Sequence, residues 1–159
     1  MDHDIDSLID RWTREQKDRI VETRKAPETT PHESPPPLLN SVLAGTLREI
    51  GHTQMLLLAD KGFPIGQGVE TIDLALSDGL PTILDVIRAI SADFDFDRVI
   101  ITDEMKELSP ERVAALEALT KKPFETFPHV EFKHIAAHAR LAVRTGDATP
   151  YANCLLVCG

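Results

Sequence analysis

The chain has 159 residues, 42% of them hydrophobic, which is enough for one domain with a substantial core. Its formal net charge of −9 argues against a nucleic-acid backbone or an anionic membrane as the main partner. No apolar run approaches the roughly 20 residues that a membrane-spanning helix needs, and the N-terminus lacks the basic start of a signal peptide.

The first 37 residues form a segment distinct from the rest of the chain. Four apolar residues at helical spacing predict an amphipathic helix over residues 4–25. The prolines that follow, up to Pro37, are typical of a stiff, extended linker. We therefore predict an N-terminal helical extension over residues 1–37 and an α/β domain over residues 38–159. The helix either docks a partner or folds back on its own domain, and the sequence favours neither.

Beyond the linker, helical and strand-like segments alternate. We predict helices at Leu39–Ile50, from Pro81 onward, from Ser109-Pro110 onward and at about Val130–Thr145. We predict extended segments at Met55–Ala59, Thr71–Leu76, Val99–Ile101, Phe124–Phe127 and Ala152–Cys158. This alternation indicates a single α/β domain with a mostly parallel central sheet flanked by helices.

The sequence also predicts the ends of the first helix and the state of the two cysteines. Asn40 or Ser41 is a plausible N-cap of the first helix, and Gly51 fits the left-handed residue that often follows a helix. That helix should bury one stripe, formed by residues 39, 42, 43, 47 and 50. Cys154 and Cys158 would lie about 13 Å apart on one strand, beyond the reach of a disulfide. A reduced, cytoplasmic protein is the simplest interpretation.

His52 and Asp60 are the first candidate site residues. His52 follows the first predicted helix, and Asp60 follows the buried strand Met55–Ala59. Ligands in open α/β sheets bind beyond the carboxyl ends of the strands, which is where Asp60 lies. The glycine-rich loop after Asp60 matches no nucleotide-binding fingerprint. Taken alone, His52 is more typical of a structural histidine than of a catalytic one.

The last predicted helix carries two sets of polar residues. His129 and Lys133 are one turn apart, and the helix N-terminus and Lys133 both favour a neutral His129 ring. A capping histidine beside a solvated lysine is the alternative, and spacing alone favours it. Glu131, His134 and His138 share the outward face, where a His-x-x-x-His pair could hold zinc. No further ligand is near in the sequence, so we interpret this face as solvated surface rather than a metal site.

Tyr151 and Asn153 stand two residues apart at the entry to the last strand, so they share one face of the sheet. A tyrosine ring beside an amide that both donates and accepts hydrogen bonds would suit a sugar. The stretch Thr149–Asn153 is also rich in turn-forming residues, and a simple turn is the alternative.

Several motifs fall in one consistent order along residues 38–159. They are Asn40, Gly51-His52-Thr53, Leu58-Ala59-Asp60-x-Gly62-x-Pro64-Ile65, Ile72-Asp73-x-Ala75-Leu76, Glu104-Met105-Lys106, His129-x-x-Phe132-Lys133, Arg144-Thr145-Gly146-Asp147 and Pro150-Tyr151-Ala152-Asn153. As a set they resemble the D-ribose pyranase family, sister to the L-fucose mutarotases. Phe63 is closer to the fucose branch and Tyr151-Ala152-Asn153 to the ribose branch, so the sugar stays open.

The resemblance implies a cofactor-independent cytoplasmic isomerase that interconverts pyranose, furanose and anomeric forms of a free aldose. It implies that His52 is the proton donor. It further implies a homo-oligomer of pentameric rings that pair into decamers, with the sites in clefts between adjacent subunits. The residues implied to bind the sugar are Asp60, His129, Lys133, Tyr151, Ala152 and Asn153.

Two other functions are compatible with the sequence. One is a non-catalytic sugar-binding or regulatory module with the same pocket and an idle His52. The other is a ring scaffold whose N-terminal helix docks a partner.

Overall fold

The computed structural model describes residues 38–159, together with the helical residues Asp10, Arg11 and Arg14. Apart from those three positions, the predicted N-terminal helix and its linker lie outside the described residues. In the domain, the helices are α1 (Ser41–Leu47), α2 (Ile83–Ile90), α3 (Asp103–Leu108), α4 (Pro110–Thr120) and α5 (His129–Ala136). The strands are β1 (Met55–Ala59), β2 (Thr71–Asp73), β3 (Arg98–Thr102), β4 (Phe124–Phe127), β5 (Leu141–Arg144) and β6 (Cys154–Val157).

The six strands form one sheet in the order β2-β5-β1-β6-β3-β4. The pairs β2·β5, β5·β1 and β3·β4 are parallel, whereas β6 runs antiparallel to both β1 and β3. The predicted mostly parallel α/β sheet is therefore confirmed. Five strands end at one edge of the sheet, and β6 begins at that same edge.

Both faces of the sheet are covered, which explains the continuous apolar runs of its strands. Leu56 and Leu58 of β1 pack in one cluster with buried residues of α1, α2 and α4. The alternate residues Leu57 and Ala59 pack in a second cluster with Phe132 of α5. Cys154 and Cys158 are buried and free, as their spacing predicts. Within the described ranges, no helix is long and apolar enough to cross a lipid bilayer.

The first predicted helix is shorter than expected, and its apolar stripe is only partly buried. Asn40 is the N-cap, and its side chain accepts a hydrogen bond from the Leu43 N–H at 2.9 Å. Leu39 and Val42 are 91% and 64% exposed, so the expectation that both face the core is wrong. The prediction that Gly51 adopts a left-handed backbone is also wrong. In this turn the positive φ, at 65°, belongs to Thr53.

The last predicted helix is wrong in its second half. Helix α5 ends at Ala136, and Leu141–Arg144 form strand β5 between β2 and β1. A short buried strand is wholly apolar, so it satisfies helical spacing as easily as strand spacing. Gly146, the residue after the predicted helix, instead follows β5, where a Cβ would clash with the Ser77 carbonyl oxygen.

The helix predicted to open at Pro81 begins two residues later. Thr82 is the N-cap of α2, and its side chain accepts from the Asp85 N–H at 3.2 Å. The Asp85 carboxylate in turn accepts from the Thr82 N–H at 2.9 Å, which completes a capping box. Pro110 is the first residue of α4, as predicted.

Candidate functional site

Polar residues gather at the edge of the sheet where the parallel strands end. Asp60 follows β1, Glu104 lies just after β3, His129 follows β4, and Arg144 is the last residue of β5. Asn153 comes immediately before β6, whose reversed direction brings its first residue to the same edge. The topology thus assembles side chains that are up to 93 residues apart in sequence.

A cleft of about 380 Å³ opens at this edge. It brings together five of the residues that the sequence assigns to sugar binding: Asp60, His129, Lys133, Tyr151 and Asn153. Ala152, the sixth, does not line the cleft and is fully buried. This volume lies at the lower end of the range for small-molecule sites and suits a small ligand.

The Asp60 carboxylate is fixed by hydrogen bonds from two directions. Its Oδ1 accepts from the Gly62 N–H at 3.0 Å, and its Oδ2 accepts from the Asn153 Nδ2 at 3.2 Å. The Asn153 Oδ1 accepts in return from the Asp60 backbone N–H at 2.7 Å. Both ends of the Asn153 amide are therefore engaged with Asp60, and its side chain positions the carboxylate.

His129 occupies the first position of α5. Its backbone N–H donates to the Glu104 carboxylate, with distances of 2.9 and 3.2 Å to the two oxygens. Burial lowers the pKa of the His129 ring, the charge of Lys133 lowers it further, and Glu104 and Asp60 oppose the shift. The direction agrees with the expected neutral ring, although burial is its largest cause.

Aromatic rings hold the His129 imidazole in place. The ring makes edge contacts with Tyr151 at 5.1 Å and with Phe63 at 6.1 Å between centroids. Phe63 in turn packs edge-on against the buried Phe132 at 5.8 Å. The Nδ1 atom of His129 is shielded from solvent without a hydrogen-bond partner among the described residues. One ring nitrogen thus retains unused hydrogen-bonding capacity.

The loop that carries Tyr151 and Asn153 rests on a buried ion pair. The Arg112 guanidinium contacts the Asp147 carboxylate at 2.5 Å and donates to the Thr149 hydroxyl at 2.8 Å. Burial opposes ionisation of Asp147, but hydrogen bonds from Arg112 and from two backbone N–H groups outweigh it and lower the pKa of the carboxyl. Tyr151 itself has a left-handed backbone, with φ at 56°.

His52 lies at the opposite edge of the sheet. It precedes β1, whose five residues span about 16 Å, whereas Asp60 follows β1. Its exposed ring contacts the Gly159 backbone oxygen through Nδ1. It lines a separate pocket with Asp93, Asp95 and other residues, none of which lines the cleft. Within one copy of the chain, His52 and Asp60 therefore do not share a site.

The second polar set of α5 and the turn after it lies outside the cleft. Glu131, His134 and His138 are all exposed and do not line it, as the surface interpretation requires.

The sequence assigned no role to Glu104, Arg144 or the Arg112–Asp147 pair. Glu104 and Arg144 come at or directly after strands that end at the same edge as β1, and this position is the signal that could have identified them.

Comparison with known proteins identifies the family. The sequence profile described as the RbsD / FucU transport protein family matches residues 34–159. A D-ribose pyranase of Laribacter hongkongensis is 42% identical over 123 residues, covering 77% of this chain and 94% of the relative. A D-ribose pyranase of Bacillus subtilis is 39% identical with the same coverage.

Solved structures agree with this assignment. The structure of Bacillus subtilis RbsD complexed with D-ribose matches with a TM-score of 0.74 at 38% identity, covering 78% of this chain and 95% of that one. The fucose mutarotase of Streptococcus pneumoniae, in complex with L-fucose, shares the fold with a TM-score of 0.58 at 21% identity over 82% of this chain and 98% of that one. The predicted resemblance, closer to the pyranase branch, is confirmed. The chain belongs to the RbsD / FucU transport protein family.

Proposed function

We propose that the chain is an isomerase that interconverts the pyranose, furanose and anomeric forms of a free aldose. The observation that carries the proposal is the pairing, in one small cleft, of a fixed carboxylate at Asp60 with an imidazole at His129 whose pKa is lowered. Carboxylate and imidazole both bind sugar hydroxyls. D-ribose is the first candidate substrate, because the D-ribose pyranases are 37–42% identical relatives.

Ring opening is a proton-transfer reaction. The bond between the anomeric carbon and the ring oxygen breaks, the ring oxygen gains a proton, and the anomeric hydroxyl loses one as the aldehyde forms. Closure through another hydroxyl, or on the other face of the aldehyde, gives a different ring form or anomer. General acid–base catalysis is typically worth about 10²–10⁴-fold, which suits a reaction that already proceeds in water.

We assign the roles in the cleft as follows. Asp60 accepts hydrogen bonds from sugar hydroxyls, and its orientation is maintained by the Asn153 amide. The His129 ring borders the same cleft and binds a further hydroxyl. Lys133 and Tyr151 border the same space and fix the ring and the open-chain oxygen. Ala152 does not line the cleft, and its N–H donates to the Thr149 carbonyl oxygen at 3.3 Å within the loop that carries Tyr151 and Asn153.

His52 is the proposed proton donor, and a second copy of the chain must supply it. The exposed ring lies at the edge of the sheet opposite the cleft, so the two meet when one copy packs head-to-tail on the next. A head-to-tail contact that closes on itself forms a ring. We therefore propose a homo-oligomeric ring, pentameric and paired into decamers as the resemblance implies, in the cytoplasm.

Saturation-transfer NMR of anomeric exchange tests the function directly. D-ribose, L-fucose and related aldoses are screened with the unmodified chain, and catalysed exchange is expected for at least one of them. His52→Ala should abolish the catalysed exchange while sugar binding persists, because a proton donor acts on the barrier more than on ground-state affinity.

His138→Ala provides the matched control, since it removes an exposed histidine outside both pockets. Binding without exchange in the unmodified chain would instead establish a sugar-binding module. Full exchange activity in His52→Ala would refute the assigned donor.

A further inference from the structure

The Arg144 side chain donates hydrogen bonds to the loop that carries Asp60. Its Nη1 donates to the carbonyl oxygens of Asp60 at 3.3 Å and Lys61 at 3.1 Å, and its Nη2 donates to that of Phe63 at 3.1 Å. Among the described residues, no carboxylate lies within ion-pair distance of this guanidinium. The half-buried cation is thus engaged by three backbone carbonyls of one short loop.

The opposite side of this loop is fixed by other residues. The N–H of Asp60 donates to Asn153 Oδ1 at 2.7 Å, and the N–H of Lys61 donates to the Asp147 carbonyl at 3.0 Å. Arg144 supplies the complementary contacts, from the carbonyl side. A planar guanidinium presents several donors in a rigid fork, whereas an ammonium is a compact point charge on a flexible stem. Three carbonyl oxygens in a fixed arrangement therefore favour arginine over lysine at this position.

The loop positions two different parts of the cleft. Asp60 supplies the carboxylate, and Phe63 supplies the ring that packs edge-on against His129. A displacement of the loop would move the carboxylate and release the imidazole at once. A misplacement of about 1 Å can cost about 10²-fold in rate even when the altered residue lies away from the chemistry.

We propose that Arg144 is a positioning residue for aldose ring opening, which sets the location of Asp60 and Phe63 through the loop carbonyls. The inference rests on the proposed function. Arg144 does not line the cleft, so it acts through the loop rather than on the sugar. Its loss should reduce kcat/KM about 10- to 100-fold, mostly through KM, because Asp60 binds the sugar rather than moving a proton.

The test compares Arg144→Lys with Arg140→Lys. Arg140 lies just before the same strand, at its other end, and pairs with Glu70 at 2.7 Å and Glu49 at 3.4 Å. Both substitutions keep the charge and remove the fork. Amide hydrogen exchange of residues 60–62 is followed by NMR in the sugar-free proteins. We expect exchange about tenfold faster in Arg144→Lys and unchanged in Arg140→Lys. The KM for the aldose should rise only in the former.

The two readouts separate the possible failures. Unchanged exchange at residues 60–62 in Arg144→Lys would overturn the claim that Arg144 holds the loop, whatever the activity. Faster exchange with an unchanged KM and kcat would show a purely structural contact and also overturn it. If the unmodified chain accelerates no aldose, the proposed function fails, and the exchange rates still decide whether Arg144 fixes the loop. Arg144→Gln serves as the second variant if Arg144→Lys does not fold.

Discussion

Replacing Asn153 by aspartate tests the geometry around Asp60. Asn153 is 1% exposed, and its Nδ2 lies 3.2 Å from the Asp60 Oδ2. Asn153→Asp keeps the shape of the side chain but places a carboxylate oxygen where the amide donor stood. Two unit charges about 3.2 Å apart repel by about 5 kcal/mol at an effective dielectric constant of about 20. Because Asp60 is partly exposed, about 3–5 kcal/mol is the appropriate range.

In Asn153→Asp, one of the two carboxyls can take up a proton, which removes the repulsion. Protonating one ordinary carboxyl at neutral pH costs about 4 kcal/mol, which is comparable with the repulsion. The pair should therefore share a proton, with an apparent pKa raised well above that of an ordinary carboxyl. The protonated carboxyl donates to its neighbour as the amide did. At low pH the variant should accordingly resemble the unmodified protein.

The assay is urea unfolding of both proteins at about pH 5.5 and about pH 8, at one protein concentration. The pKa of the pair is raised by folding, so stability is lost as the pH rises through the raised value. The variant should therefore be more destabilised at the higher pH, by about 1–3 kcal/mol. Asn153→Ala is the control, because it removes the same hydrogen bonds without adding charge and should show no such trend. A destabilisation of Asn153→Asp that does not change with pH would refute the arrangement.

Three further predictions follow from the site and its supports. The pKa of His129 is lowered first by burial and second by Lys133, so Lys133→Ala should raise it in a histidine NMR titration, and an unchanged value would contradict the proximity of the two. The neutral His129 ring contributes stability that is present above about pH 6.5 and lost as the pH falls through its lowered pKa. Arg112→Ala should destabilise the fold by about 3–5 kcal/mol in urea unfolding, because Asp147 is left buried and unpaired, and a loss below about 1 kcal/mol would contradict this. Residues 38–159 alone should fold and assemble by circular dichroism and light scattering, and failure of either would make the N-terminal segment part of the domain.

Short-range sequence patterns correctly predicted the elements that depend only on neighbouring residues. The strand Met55–Ala59 depends on adjacent residues and was correct, and the N-cap is Asn40, one of the two positions predicted for it. The helix predicted through Thr145 was wrong because an apolar run of three residues fits both periodicities, and its burial between two strands decides the outcome. Leu39 precedes the N-cap and lies outside α1, and Val42 lies on the part of α1 that faces away from the sheet, which the spacing does not reveal.

The candidate site also combines features that local spacing predicts with contacts between residues far apart in the sequence. His129 and Lys133 belong to one helix, so spacing alone predicted that they share one side of it, whereas the resemblance implied their position beside the cleft. The hydrogen bonds between Asp60 and Asn153 join residues 93 apart, and only the reversed β6 brings them together. Likewise, Arg144 could be placed near Asp60 only after β5 was known to be a strand beside β1.

Subunit complementation tests most directly whether two copies of the chain build one site. His52→Ala and Asp60→Ala are expected to be inactive separately, since each removes one side of the shared cleft. Mixed by joint refolding in equal amounts, they should recover about a quarter of the unmodified rate of anomeric exchange. In a head-to-tail ring, about one contact in four then pairs an intact His52 with an intact Asp60. No recovery in rings shown to contain both variants would mean that the two residues do not meet across the interface.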